Sequence, residues 1–158
     1  MKIIGLFVAC ITLVTDQVSK FIMVKYFPDI RTEVTDFFSI ALVYNKGISF
    51  GLFNDINYSN YIFCFLSSII VVFLLKWLKD VKEKYEITGL CLIISGAIGN
   101  VIDRIIYPGV VDFLEFHWNQ YYWPSFNIAD SAICLGVCIL LVFSINYDYK
   151  KKKIERND

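Results

Sequence analysis

Four apolar stretches divide this chain of 158 residues: Ile3 to about Tyr26, Tyr61 to Leu78, Ile87 to Tyr107, and Ile128 to Tyr147. Each approaches the roughly 20 residues that a helix needs to cross a bilayer. Hydrophobic residues make up 57% of the chain and charged ones only 19%, so one small water-soluble core would leave large apolar surfaces exposed. The expectation is a membrane all-α fold of four transmembrane helices. No internal repeat or low-complexity linker interrupts it, and residues 1–158 read as one integral-membrane domain.

Lysine and arginine placement sets the expected orientation, because short cytoplasmic segments retain these residues during insertion. Lys2, the group Lys76, Lys79, Lys82 and Lys84, and the tail Lys150 to Lys153 with Arg156 fall on one side of a four-span topology. Both termini are therefore expected in the cytoplasm. The segment from Tyr107 to Asn127 contains no Lys or Arg, which suits an outer-face loop. The basic tail follows a span directly, so it reads as an orientation signal with affinity for anionic lipid and not as a nucleic-acid patch. Membrane lipid is an expected partner; nucleic acid is not. The formal net charge of zero carries little information when charge is sorted by membrane side.

Leu6-Phe-Val-Ala-Cys10 has the look of a lipoprotein cleavage box, yet the apolar stretch ahead of Cys10 is short and hydrophobic sequence continues to Phe27. A retained first span is expected. All five cysteines lie in apolar spans, where a thiol serves as a small hydrophobe. Cys134 and Cys138 stand four apart, but no further ligands accompany them, and neither a metal site nor a cofactor is expected.

Two outer loops remain. The first, from about Phe27 to Asn60, contains the β-forming run Phe37 to Tyr44, a turn at Asn45-Lys-Gly47, and a second run Ile48 to Phe53. This pattern predicts a small extracytoplasmic β-rich element, a sheet or hairpin, between spans 1 and 2. The second loop opens at Pro108-Gly109, carries a predicted strand from Val110 to Phe116, and closes at Trp123-Pro124.

Charged residues inside spans are costly, and function is the default explanation for them. Asp16 and Lys20 sit four apart and stack on one helical face, which favours a structural ion pair. Gly96, Asn100 and Arg104 share a face of the third span and suit carbonyl or phosphate oxygens. Asp103 lies on another face, and the sequence gives it no role. Asp112 and Asp130 flank the entry to the fourth span without an intervening Lys or Arg. Held close, two carboxylates share one proton, so one activates water while the other donates. That is aspartic-protease chemistry. A glycosidase also uses two carboxylates, but a site at the membrane surface favours a substrate anchored there. The single histidine, His117, has no Ser or Cys that spacing would single out as its partner.

Five blocks carry a family resemblance: Asp16-Gln-Val-Ser-Lys20, Asn45-Lys-Gly-Ile-Ser-Phe50, Gly96-Ala-Ile-Gly-Asn-Val-Ile-Asp-Arg104, Gly109-Val-Val-Asp-Phe113 and Trp123-Pro-Ser-Phe-Asn-Ile-Ala-Asp-Ser131. In this order they resemble the motifs of bacterial lipoprotein signal peptidase, or signal peptidase II. The resemblance implies an inner-membrane aspartyl endopeptidase that removes the signal peptide from diacylglyceryl-modified prolipoproteins, cutting before the lipidated cysteine. It implies Asp112 and Asp130 as the catalytic pair, working at the outer face. It also implies that Asn100, Arg104 and Asn127 contact substrate or support the pair, with Asn45 and Gly47 presented by the outer loop and Asp16 and Lys20 serving architecture. Ser49 and Ser95 depart from the family's usual small residues without enlarging them much. A monomer is compatible with all of this. The rival reading is a small transporter or proton-relay subunit, which predicts carboxylates spread through the membrane depth.

Overall fold

The three prolines of the chain, Pro28, Pro108 and Pro124, all fall outside helices, so each apolar run propagates without losing a backbone hydrogen bond. A computed structural model describes residues 2–28, 31–47 and 58–155, the last nine by backbone alone. Four helices result: α1 (Lys2–Tyr26), α2 (Ser59–Asp80), α3 (Lys84–Ile106) and α4 (Ile128–Glu155). They match the predicted spans to within three residues, except that α4 continues past the apolar part, which ends at Asn146, into the basic tail.

Helix α3 is the centre of the bundle. Half of its apolar window is buried inside the protein, against less than a fifth for each of the others, because α1, α2 and α4 all pack upon it. Without a hydrophobic drive between helices in lipid, close approach depends on small residues. Gly96 supplies one such point, since a side chain there would run into the Ala129 carbonyl of α4. The outward faces carry exposed Phe65, Ile69, Phe73 and Leu141, as lipid contact requires.

The loops between α1 and α2 and between α3 and α4 build one antiparallel sheet in the order β1 (Arg31–Thr35), β2 (Phe38–Asn45), β3 (Val110–Trp118), β4 (Tyr121–Tyr122). The strand predicted at Val110 is present. The β-rich element, however, is not confined to the loop between spans 1 and 2: β2 pairs with β1 on one side and with β3, from the α3–α4 loop, on the second. The β1–β2 turn at Asp36-Phe37 lacks the Asn-Gly or Asp-Gly signal that marks a tight hairpin. The predicted second run, Ile48 to Phe53, lies outside the described residues. Met23 of α1 packs against Val111 and Phe113, which seats the sheet on the bundle.

Candidate active site

Eighteen positions separate Asp112 from Asp130, and two local devices fold that distance away. Strand β3 turns back on itself so that Leu114 and Phe126 exchange backbone hydrogen bonds, 2.9 Å in each direction. One residue later, Asn127 starts α4. Its Oδ1 accepts the Asp130 backbone N–H at 2.8 Å, and Asp130 Oδ2 accepts the Asn127 N–H at 3.3 Å. This reciprocal arrangement is a capping box built from Asn and Asp. It fixes the Asp130 carboxylate at the helix N-terminus, where the macrodipole favours negative charge.

Asn127 reaches the other carboxylate as well, through its side-chain amide. Its Nδ2 donates to Asp112 Oδ1 at 2.7 Å and also lies 3.3 Å from Val111 O and from Asn100 Oδ1. Asn100 Nδ2 donates to Asp130 Oδ1 at 2.8 Å, and Asn45 Nδ2 donates to Asp112 Oδ2 at 3.1 Å. Each carboxylate thus accepts from Asn127 and from one further asparagine amide. Asp112 is 2% exposed. Burial first, and the Asp130 charge second, push its carboxyl from 3.8 up to about 7, against the lowering effect of Asn45, Asn127 and Lys20. A carboxyl with that value holds a proton near neutral pH.

Arg104 Nη2 donates to the Gly47 carbonyl at 3.0 Å, and Gly47 N donates to Asn45 Oδ1 at 3.1 Å. The α1–α2 loop is thereby tied to α3 next to the carboxylates. Buried Arg104 Nε has no hydrogen-bond partner among the described residues.

Beneath this layer lies a second polar one. Lys20 Nζ is 2.8 Å from Asp16 Oδ2 and 2.7 Å from Asp103 Oδ2, with all three side chains at most 1% exposed, and it donates to Asn100 Oδ1 at 3.0 Å. The pairing expected from the i,i+4 spacing is present, but it is incomplete without Asp103, which the sequence left unassigned. Gln17 Nε2 also donates to Asp103 Oδ1 at 3.1 Å. Gly99 leaves room for this cluster: a Cβ there would stand 2.6 Å from Asp16 Oδ2. The five residues expected to support or contact the pair, namely Asn45, Gly47, Asn100, Arg104 and Asn127, all belong to this one hydrogen-bonded assembly.

His117 does have a serine partner, 2.9 Å from its Nε2, in fully buried Ser39. Spacing could not reveal it because the two meet across the sheet. Tyr122 lies against the imidazole with the rings tilted by 35°, and among the described residues no carboxylate pairs with the ring, so the Ser39–His117 contact ties β2 to β3. Cys134 and Cys138 line a groove of about 820 Å³ that runs along α4 from Phe126 and Asp130, with Trp123 and Pro124 at its outer end. The carboxylates Asp16, Asp103, Asp112 and Asp130 gather in one network and are not spread through the membrane depth, contrary to the transporter reading.

A family profile described as signal peptidase (SPase) II matches residues 8–146. The chain belongs to the signal peptidase II family. Curated relatives agree: the lipoprotein signal peptidase of Syntrophotalea carbinolica is 40% identical over 142 residues, covering 87% of this chain and 88% of that protein. The lipoprotein signal peptidase of Aeromonas hydrophila is 37% identical over 151 residues, covering 92% and 90%. A solved structure described as a bacterial membrane enzyme, determined by the in meso method at 2.3 Å, superposes with a TM-score of 0.83 at 28% identity, covering 93% of this chain and 90% of that one. A second, at 1.9 Å, gives 0.78 over 87% and 90%. This signal peptidase II chain therefore shares its architecture with solved bacterial membrane enzymes.

Proposed function

We propose that this single-domain membrane protein is an aspartyl endopeptidase that removes the signal peptide from diacylglyceryl-modified prolipoproteins, cutting before the lipidated cysteine, with Asp112 and Asp130 as its catalytic residues. Family membership supports the activity. The observation that carries the residue assignment is Asn127, which hydrogen-bonds both carboxylates at once.

In this reading a water lies between the two carboxyl groups, which share one proton. The ionised group takes a proton from the water as its oxygen attacks the scissile carbonyl, and the protonated group donates to the carbonyl oxygen. Collapse of the tetrahedral intermediate breaks the C–N bond and delivers a proton to the leaving amine. Asn45, Asn100 and Asn127 orient the carboxyl groups. Arg104, through its Nη2 contact to the Gly47 carbonyl, holds the loop backbone beside the carboxylates where the peptide binds. Asp16 and Lys20 act as architecture. The groove along α4 beside Asp130 is apolar enough to receive a chain entering from lipid.

The sorting of basic residues supports a multi-pass protein of the bacterial inner membrane, with its termini in the cytoplasm and its site at the outer face. A monomer contains every residue the reaction uses. The test compares purified wild type in detergent with Asp112→Asn and Asp130→Asn on a diacylglyceryl-modified prolipoprotein. Wild type cleaves before the lipidated cysteine, and each variant loses about 10³-fold or more in rate. Cleavage persisting in both folded variants rejects the aspartyl assignment.

A further inference from the structure

At the end of the bundle opposite the carboxylates, α1 and α2 both pack on α3 but scarcely meet each other. Between them lies a groove of about 480 Å³, with Ile87 of α3 on its floor, Leu6 of α1 and Leu75 of α2 on its walls, and Lys2, Lys76 and Lys79 at its rim. Its lining combines three cations with hydrocarbon, and among the described residues no acidic side chain lines it. One feature would repel an anion here, the negative carbonyl end of α2. That end is already covered, because Lys2 Nζ donates to the Lys79 carbonyl at 2.7 Å. The ammonium of Lys2 keeps two further donors and its charge.

We propose that this groove binds an anionic phospholipid, with the phosphate held by Lys2, Lys76 and Lys79 and an acyl chain lying along Leu6, Leu75 and Ile87. Charge selects the headgroup, and the apolar lining selects a lipid over a free anion. Basic pockets between spans concentrate anionic headgroups in this way, whereas isolated surface lysines attract them only diffusely. The occupant also fills the gap between two helices that share only α3 as a common neighbour, so it braces α1 against α2. This site lies away from the carboxylates and its test does not involve cleavage, so it stands apart from the peptidase assignment.

The experiment titrates detergent-purified full-length protein with fluorescent phosphatidylglycerol or fluorescent phosphatidylcholine. Three proteins are compared: wild type, Lys76→Gln/Lys79→Gln, and Lys82→Gln/Lys84→Gln, which removes the same charge at the same end without touching the groove. Wild type should bind phosphatidylglycerol at least about tenfold more tightly than phosphatidylcholine. The groove variant should lose about tenfold or more in that affinity, from roughly one tenfold step or less per removed contact, while the control variant stays within about twofold. Lys76→Arg/Lys79→Arg retains the cations and should bind like wild type, which separates lost charge from lost fold. The proposal is overturned if phosphatidylcholine binds equally well, if both glutamine variants lose affinity equally, if the arginine variant fails to bind, or if millimolar inorganic phosphate alone displaces the lipid.

Discussion

Asp103 Oδ2 accepts the backbone N–H of Val111 at 3.2 Å, one residue ahead of Asp112. Asp16 Oδ1 accepts the backbone N–H of Ala129 at 2.8 Å, one residue ahead of Asp130. Lys20 stands between Asp16 and Asp103 and binds both. The spacing of the proposed catalytic pair is therefore copied from the spacing of a second, buried pair that a single cation holds together.

Replacing that cation tests the relationship. Lys20→Met leaves two buried carboxylates without a counter-charge, and breaking a buried ion pair from one side costs on the order of 3–5 kcal/mol. The expected outcome is a clear drop in thermal unfolding temperature in detergent, with cleavage lost even at temperatures where the variant remains folded. An unfolding temperature equal to that of wild type rejects the role.

Asn127 separates helix capping from bridging the two carboxylates. Asn127→Ser keeps a capping oxygen for the start of α4 but has no amide to give Asp112. Stability should fall by less than about 1 kcal/mol, while kcat falls about 10²-fold or more with KM little changed, as when one preorganised donor is removed. Equal losses in melting temperature and in kcat would point to folding alone.

Asp112 sets an alkaline limit on turnover. Its carboxyl is raised to about 7, so kcat/KM should fall as pH rises through that region, nearly tenfold per unit once the shared proton has left; the limit belongs to the coupled pair. Asn45 donates to the ionised form and lowers the value, so Asn45→Ala should move the limb to higher pH. A pH–rate profile measured from pH 5 to 9 on both proteins decides this.

The same group contributes to stability with the opposite sign from an ordinary surface carboxylate. A raised value means that the folded state holds its proton more tightly than the unfolded chain. That stabilisation is present below about pH 4 and is lost as pH rises toward 7. Asp112→Asn, which cannot ionise, should therefore melt above wild type at pH 8, by up to about 4 kcal/mol for a shift of roughly three units, and the gap should close on acidification to pH 4. Thermal unfolding at the two values measures it.

Legibility in the sequence followed the range of each interaction. The four spans, with the start of α4 among them, could be read because an apolar run reports bilayer thickness directly, whereas the Asn127–Asp130 capping box emerged only in the structure. The Asp16 and Lys20 pair was visible at one helical turn. Asp103 was not, because its partners on α1 and β3 are fixed only once three elements have packed. Strand β1 escaped notice because its turn lacks glycine, and Ser39 met His117 only after β2 and β3 had set their register. The site residues that the motif blocks nominated are the ones that converge, although the motifs alone do not say which atom holds which.

The buried cluster of α1, α3 and α4 also bears on biosynthesis. Lys20 enters the membrane with the first helix, Asp103 arrives with the third, and the Ala129 N–H that completes the Asp16 contact arrives only with the fourth. The first span thus enters with Lys20 and Asp16 already paired, and the Asp103 carboxylate and the Ala129 N–H complete the cluster only as the third and fourth helices dock. The contacts that position Asp112 and Asp130 are therefore complete only once the fourth helix has docked.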